Sequence, residues 1–507
     1  VKLPFLGQAY QSRSPILASQ TLINLYAEGT EGNSSAVGAF YGTPGLEALT
    51  GAHGSVRGIH VAGGALYAVI GTNVYRIDAN YVATNLGNLN NSVGPVSIAD
   101  NGSQVAFAHQ DGWHWIAFTG TAIAPVTNSP PGSVLATQDH YVIFTTSTLD
   151  QFGITALADL STIDPLDLAS AEGAPDNLVS LVSDHREVWL FGTETIEIWS
   201  DTGAQFFPFE RSPGGFIEQG CAAKWSPARI DNSVFWIGRD KNGRGVVYRA
   251  NAYIPQRIST HALETAINSY GDISDAIGFS YQEEGHSFYW VTFPSADVSW
   301  VYDIATNGWH MRAWLDDTTG LLHRHRANCY AFFNNAHLVG DWENGTLYRM
   351  DLDTGNDNGT EIYRERAFEL PDSENKRIRM DFLELMALTG DGVTPITLPG
   401  GESEWTWDSG DITFDSGTAT FDGFASETGG IVINPGPSQV GVQVSRDGGR
   451  SWGFKRFQGM GDIGKRLVRL RWRRLGLGRN IVLRFFTTMS SRVQWVQAYG
   501  RGEALDQ

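Results

Sequence analysis

The sequence has 507 residues, of which 42% are hydrophobic, 12% aromatic and 18% charged, a balance that excludes a disordered chain; its length predicts two or more domains unless a repeat lets one domain grow. The net charge of −19 is unevenly spread: residues 444–501 hold fourteen Lys/Arg against Asp447 and Asp462, a local +12 that leaves about −31 elsewhere, while residues 391–444 hold eight acids and no base. No apolar run approaches the ~20 residues that span a bilayer, and Val1-Lys2-Leu3-Pro4-Phe5 opens no charged region followed by an apolar core, so neither membrane anchor nor secretory signal is expected.

In chain order, residues 1–50 read as an N-terminal arm that completes a later unit or docks to a neighbour. From about residue 56 to 350 similar units recur. The first reads strand, Gly63-Gly64 turn, strand, Gly71-Thr72-Asn73 turn, strand, ending near Ile77. The second runs through 96–99, 104–109 and 113–118, with turns at Asn101-Gly102 and Asp111-Gly112. The third contains Tyr141-Val142-Ile143-Phe144, and the fourth, at 178–182, 187–191 and 195–199, closes on Asp201-Thr202-Gly203. Later units contain 233–238 with 246–249, 288–293 with 300–303, and 329–333 with 346–350. Alternating runs joined by tight turns predict hairpins. The spacing of roughly 40–50 residues predicts four-stranded propeller blades.

The expected fold is therefore all-β: a β-propeller of six or seven blades over 51–370, followed by a β-sandwich-like domain over 377–507. A chain of β-sandwiches is the competing architecture. Helix is predicted only over 260–270, where Thr260 caps a short amphipathic turn, and as an irregular insertion within 154–171. The polar stretch from Pro371 to Lys376 reads as a linker. The two cysteines, Cys221 and Cys329, fall in different units, which excludes a disulfide framework and points to assembly in a reducing cytoplasm.

Several motifs invite catalytic readings. Asp-(Ser/Thr)-Gly triplets begin at Asp201, Asp353, Asp408 and Asp415, and the last resembles an aspartic-protease loop. Yet that chemistry needs two loops whose carboxylates share a proton. Trp407-Asp408-Ser409-Gly410, Phe414-Asp415-Ser416-Gly417 and Phe421-Asp422-Gly423 instead form a repeated aromatic-Asp-Gly ladder of strands and turns. Ser445-Arg446-Asp447-Gly448-Gly449-Arg450-Ser451-Trp452 matches the Asp-box of sialidases and other propellers, in which Ser445, Asp447, Gly449 and Trp452 build a structural hairpin with the Trp packed beneath. His323, His325 and Cys329 lack the spacing of a zinc site. Asp351, Asp353, Asp357 and Glu361 lack the order of a calcium loop and read as a solvated turn. No catalytic residue, metal or cofactor is expected.

Two stretches together resemble a known family. One is Tyr10-Gln11-Ser12-Arg13-Ser14, Gln20-Thr21-Leu22-Ile23-Asn24-Leu25-Tyr26-Ala27-Glu28 and Phe40-Tyr41-Gly42-Thr43-Pro44-Gly45-Leu46; the other is the Asp-box followed by Gly461-Asp462-Ile463-Gly464 and Leu470-Arg471-Trp472-Arg473-Arg474-Leu475-Gly476. This order resembles the packaged-DNA stabilisation, or tail nozzle, proteins of short-tailed bacteriophages. The resemblance implies a virion tail protein assembled in the host cytoplasm. It would form a ring, a hexamer, below the head–tail adaptor, helping to retain and later release the genome and contacting the needle, fibres or spikes. Double-stranded DNA would pass through the lumen without sequence-specific binding, because acidic walls repel phosphates; the gate of that channel has no residue assignment. Arg471 and Arg473 project to one face of their strand and, with Arg474, form a candidate subunit or adaptor interface; pairing within the domain is the alternative. Rival readings are a glycan-binding or glycan-hydrolysing, sialidase-like propeller, and a scaffold propeller of other origin.

Overall fold

The computed structural model describes residues 2–14, 18–29, 38–51, 54–146, 150–171, 173, 176–204, 207–240, 242–370, 376–388, 396–397, 424–425, 431–433, 439–460, 467–490 and 492–505. Short alternating strands separated by Gly- and Asn-rich turns form seven four-stranded antiparallel blades. Blade 1 begins with Val56–Ala62, blade 2 with Ser97–Asp100, blade 3 with Leu135–Gln138 and blade 4 with Leu178–Asp184. Blades 5, 6 and 7 begin with Ala228–Ile230, Ile277–Glu283 and Ala327–Phe333. These seven innermost strands pack in cyclic order, and that of blade 7 closes on that of blade 1. The outer strand of blade 7 is Gly45–Gly51, from the start of the chain, paired antiparallel with Thr346–Asp351. The circle is thus locked by hydrogen bonds between the two ends of the propeller sequence.

The aromatic content has a specific use. Every junction between consecutive blades carries a ring pair: Tyr67–Phe107, Trp113–Phe144, Phe152–Trp199, Phe191–Trp236, Phe235–Tyr289, Phe279–Tyr330 and, across the closure, Phe333–Tyr81. Such pairs contribute about 0.5–1.5 kcal/mol each beyond the area they bury. Nearer the axis, side chains bond to the neighbouring blade's backbone: Thr137 Oγ1 to the Asp100 carbonyl at 2.6 Å, Arg229 Nη1 to that of Ser183 at 2.8 Å, and Ser280 Oγ to that of Arg229 at 2.7 Å. Asn328 Nδ2 donates to the Val56 carbonyl at 3.0 Å, joining blade 7 to blade 1.

Most of the remaining described strands form a two-sheet sandwich. In one sheet Ser19–Ile23 pairs with Arg364–Glu369, which pairs with Val482–Thr487, then Gln439–Ser445, then Arg456–Gly459. Ile23 also pairs in parallel with Met311 of blade 6, so blade 6 and this sheet are one hydrogen-bonded surface. The other sheet runs Leu25–Gly29, Gly38–Gly42, Gln494–Leu505, Arg377–Leu388 and Leu467–Gly478. Phe5, Phe40, Phe368, Leu383, Leu385, Leu470, Trp472, Phe485 and Trp495 are buried in the core that these sheets share. At Gly355 the Ser490 carbonyl oxygen occupies the place a Cβ would take, so the backbones of the two units touch there.

The first fifty residues are therefore not one arm. Ser19–Ile23, Leu25–Gly29 and Gly38–Gly42 belong to the sandwich, and Gly45–Gly51 to blade 7. Arg364–Glu369, placed by sequence within the propeller, is also a sandwich strand. The helix spans His261–Ser269, with Thr260 Oγ1 accepting from the Leu263 amide at 3.3 Å. The expected insertion at 154–171 is not helical: Asp159 and Asp164 each accept an amide two residues on, at 2.9 Å, and these turns replace the i→i+4 ladder. The linker at 371–375 lies outside the described residues.

Candidate functional site

The Asp-box forms the turn between strands Gln439–Ser445 and Arg456–Gly459. Ser445 Oγ donates to Asp447 Oδ1 at 2.7 Å and accepts the Gly449 amide at 2.8 Å. Asp447 accepts the Ser451 amide at 2.9 Å and the Ser451 hydroxyl at 2.6 Å. The Ser445 and Ser451 donors hold the Asp447 carboxyl well below the usual carboxylate range. Gly448 and Gly449 have φ of 74° and 93°, a region L-residues rarely adopt. Ser19 Oγ reaches the Gly448 carbonyl at 2.7 Å, tying the turn to the N-terminal strand. Trp452 is half-buried with the Arg484 guanidinium 3.6 Å from its ring centroid. The four sequence-selected residues thus converge on a turn whose polar groups satisfy one another.

Arg471, Arg473 and Arg474 lie on Leu467–Gly478, an edge strand of the sandwich. Leu470 and Trp472 point into the core while Arg471 and Arg473 are exposed, the alternation expected of a strand. A bulge then intervenes. Phe382 pairs with Arg473 and Met380 with Gly476, so Arg474 and Leu475 face one residue; Arg474 adopts φ 58° and is exposed beside Arg473. Arg471 is held within the sheet: Nη2 lies 2.6 Å from Glu384 Oε2, and the guanidinium stacks over Phe382 at 4.6 Å. Among the described residues the Arg473 and Arg474 side chains have no hydrogen-bond or ion-pair partner, while their carbonyls both accept from Arg456 Nη1 at 2.9 Å. Phe454, Phe457, Leu467 and Leu477 are exposed on this part of the sandwich.

Sequence reasoning missed a groove of about 960 Å³ on the propeller face. It runs from Arg229 of blade 5, past the blade 6 turn at Glu283-Glu284 and the blade 7 turn at Asn334-Asn335, to Arg492 of the sandwich. Tyr281, Tyr330, Phe332 and His337 give it an aromatic wall. Burial pushes the Glu283 carboxyl up to about 7. Of the lining cations, Arg349 pairs with Glu47, Arg492 lies 2.6 Å from Asp353, and Arg229 bonds the Ser183 carbonyl. Glu283 and Glu284 have no ion-pair partner among the described residues. No linear motif marks this groove, because its parts come from four blades and the sandwich.

The remaining candidates do not converge. His323 Nδ1 is 2.6 Å from Asp297, whereas His325 is buried against Arg312 and held neutral by desolvation. Burial pushes the Cys329 thiol up to about 12 and the Cys221 thiol up to about 11. Asp353 faces Arg492, and Asp357 is buried, its carboxyl pushed up to about 7 by desolvation. Among the described residues no three His, Cys, Asp or Glu side chains gather as metal ligands. Asp201 caps its own turn through the Gly203 amide at 2.7 Å. The triplets at Asp408 and Asp415 and the Asp422 step lie outside the described residues.

A seven-bladed propeller fused through a shared sheet to a β-sandwich defines the chain as a propeller–sandwich protein. Family models described as "Bacteriophage P22 Gp10, beta-propeller" and "Bacteriophage P22 Gp10, beta-sandwich" match residues 1–355 and 423–503. The chain belongs to this family, that of the packaged-DNA stabilisation or tail nozzle proteins, and is a structural component of the phage tail. Solved structures are similar over roughly two thirds of the chain. The computationally designed Ika8 protein is 14% identical, with 66% of this chain and 99% of that one covered and a TM-score of 0.36. The extracellular domain of the putative one component system BT4673 from B. thetaiotaomicron is 10% identical, with 64% and 41% covered and a TM-score of 0.41. The N-terminal domain of Nup159 is 9% identical, with 66% and 99% covered and a TM-score of 0.40. No curated protein matches the chain.

Proposed function

We propose that copies of this chain form a closed ring, a hexamer, that extends the DNA channel below the head–tail adaptor, retains the packaged genome and later lets it pass. The reading assigns the chain no catalytic step. The observation that carries it is the charge division of one chain: an acidic bulk, and a sandwich edge on which Arg473 and Arg474 stand exposed without partners among the described residues. Acidic walls repel the phosphate backbone, so DNA slides without sticking. The exposed arginines are suited to carboxylates of another subunit or of the adaptor. The needle, fibres or spikes attach to the same assembly, which is built in the host cytoplasm and ends in the virion tail.

Native mass spectrometry and negative-stain imaging of the purified chain, alone and with the adaptor, test the reading. A closed ring with a central pore is expected. A chain that stays monomeric in both preparations overturns it.

A further inference from the structure

The ring reading leaves open what the arginine-bearing edge meets. A cyclic assembly of more than two copies needs a heterologous contact, in which one surface of a subunit fits a different surface of the next. The groove over blades 6 and 7 has the complementary chemistry. Its cations are already engaged: Arg349 by Glu47, Arg492 by Asp353, and Arg229 by the Ser183 carbonyl. Glu283 and Glu284 are left without ion partners among the described residues, beside Tyr281 and Tyr330. Phe332, 53% exposed, stands on the rim.

A half-buried carboxylate beside aromatic faces suits a guanidinium especially well. The planar cation stacks on the ring while its N–H groups donate to the carboxylate. The donor edge has the matching features. Arg473 and Arg474 are adjacent and both exposed at the bulge, and exposed Leu477 follows three residues after Arg474 on the same strand. Residues 467–478 pair with Arg377–Leu388, and none of them lines the groove of their own chain. A contact between the two surfaces therefore requires a second copy.

We infer that the groove over blades 6 and 7 is the acceptor for the Leu467–Gly478 edge of a neighbouring copy, with Glu283 and Glu284 receiving Arg473 and Arg474. This rests on the ring reading and deepens it by naming both faces of the subunit contact. It also gives the chain one donor and one acceptor surface, the requirement for head-to-tail closure.

Charge exchange on the full chain tests the pairing. The double variant Glu283→Arg/Glu284→Arg is expected to need at least tenfold more protein to form rings by native mass spectrometry. Adding Arg473→Glu/Arg474→Glu to the same chain is expected to restore ring formation, which a purely structural role for either pair cannot produce. The milder pair Glu283→Gln/Glu284→Gln, checked by circular dichroism, guards against misfolding and is expected to weaken assembly in the same direction. Rings formed undiminished by both glutamate variants overturn the groove assignment and leave the ring reading intact. Failure of the quadruple variant to recover overturns the pairing of these four residues. A wild-type chain that never closes fails at the earlier step.

Discussion

Arg366 and Phe5 lie 361 positions apart, yet Arg366 Nε donates to the Phe5 carbonyl at 2.9 Å. The same guanidinium reaches the carbonyls of Gln8 at 3.2 Å and Thr21 at 3.3 Å and the Gln20 side chain at 3.2 Å, with the Phe40 ring 5.3 Å away. One fully buried cation thus clamps the N-terminal segment to the strand Arg364–Glu369. Burial pushes Arg366 down to about 9, so it stays protonated at neutral pH. Arg366→Ala would strand several buried acceptors and is expected to cost about 3–5 kcal/mol. Arg366→Lys should recover only part of this, because an ammonium lacks the planar fork. Urea midpoints of the three chains check the order.

Glu283 gives a pH signature in the unassembled subunit. Desolvation raises its carboxyl from 4.5 to about 7, with Arg312 and Arg492 acting against that rise and Glu284 and Asp351 adding to it. A carboxyl whose folded value is raised takes up its proton more readily folded than unfolded. Its contribution therefore falls as pH rises from about 4.5 to about 7 and stays unfavourable above. Glu283→Gln carries no charge at any pH. It is expected to exceed the wild type in stability by about 1–2 kcal/mol at pH 8, with the gap closing towards pH 4.5. Thermal melts across that range test it, and an equal gap at both ends would contradict the assignment.

The Asp-box titrates in the opposite sense. Asp447 is held below its ordinary value of 3.8, so its contribution is present above that value and is lost only as pH falls through a lower one. Protection of the Ser451 and Gly449 amides should therefore survive to more acid pH than turns held by ordinary carboxylates. Asp447→Ala removes the acceptor of the Ser451 amide and hydroxyl, and about tenfold faster exchange at Ser451 is expected. Hydrogen exchange read by mass spectrometry resolves this hairpin from the blades.

The propeller was legible because its cause is local. Each unit repeats an alternating run, a Gly or Asn turn and another run, and Tyr141–Thr145 or Glu187–Gly192 need no distant partner to declare themselves strands. The Thr260 cap is likewise a short-range signal. What stayed hidden depends on residues far apart in sequence. Nothing near Gly45 announces that it will pair with Asp351, and nothing near Ile23 announces Met311. At the candidate interface, alternation placed Arg471 and Arg473 together on the exposed face. Glu384, which engages Arg471, sits 87 positions away, and the bulge that turns Arg474 outward exists only against Met380 and Phe382. Asp159 and Asp164 show the converse: a stretch whose sequence reads as a helical insertion is governed by side chains that compete for backbone amides.

That bulge lets folding and the proposed assembly be tested at one residue. Arg474 holds φ 58°, which costs a non-glycine residue of order 1 kcal/mol. Arg474→Gly relieves that strain while adding freedom to the unfolded chain, and the two effects nearly cancel. The unfolding midpoint should therefore move by less than about 1 kcal/mol equivalent. If the side chain serves the contact between copies, the same substitution should weaken ring formation several-fold and reduce its salt dependence, since one exposed cation is gone. Arg471→Gly makes the contrast. It removes the Glu384 pair and the Phe382 stack from a strand position with ordinary dihedrals, and stability should fall together with assembly. Melting curves and native mass spectra of both variants read the two quantities separately. Loss of stability without loss of assembly in Arg474→Gly would reverse the roles given to strain and charge at this bulge.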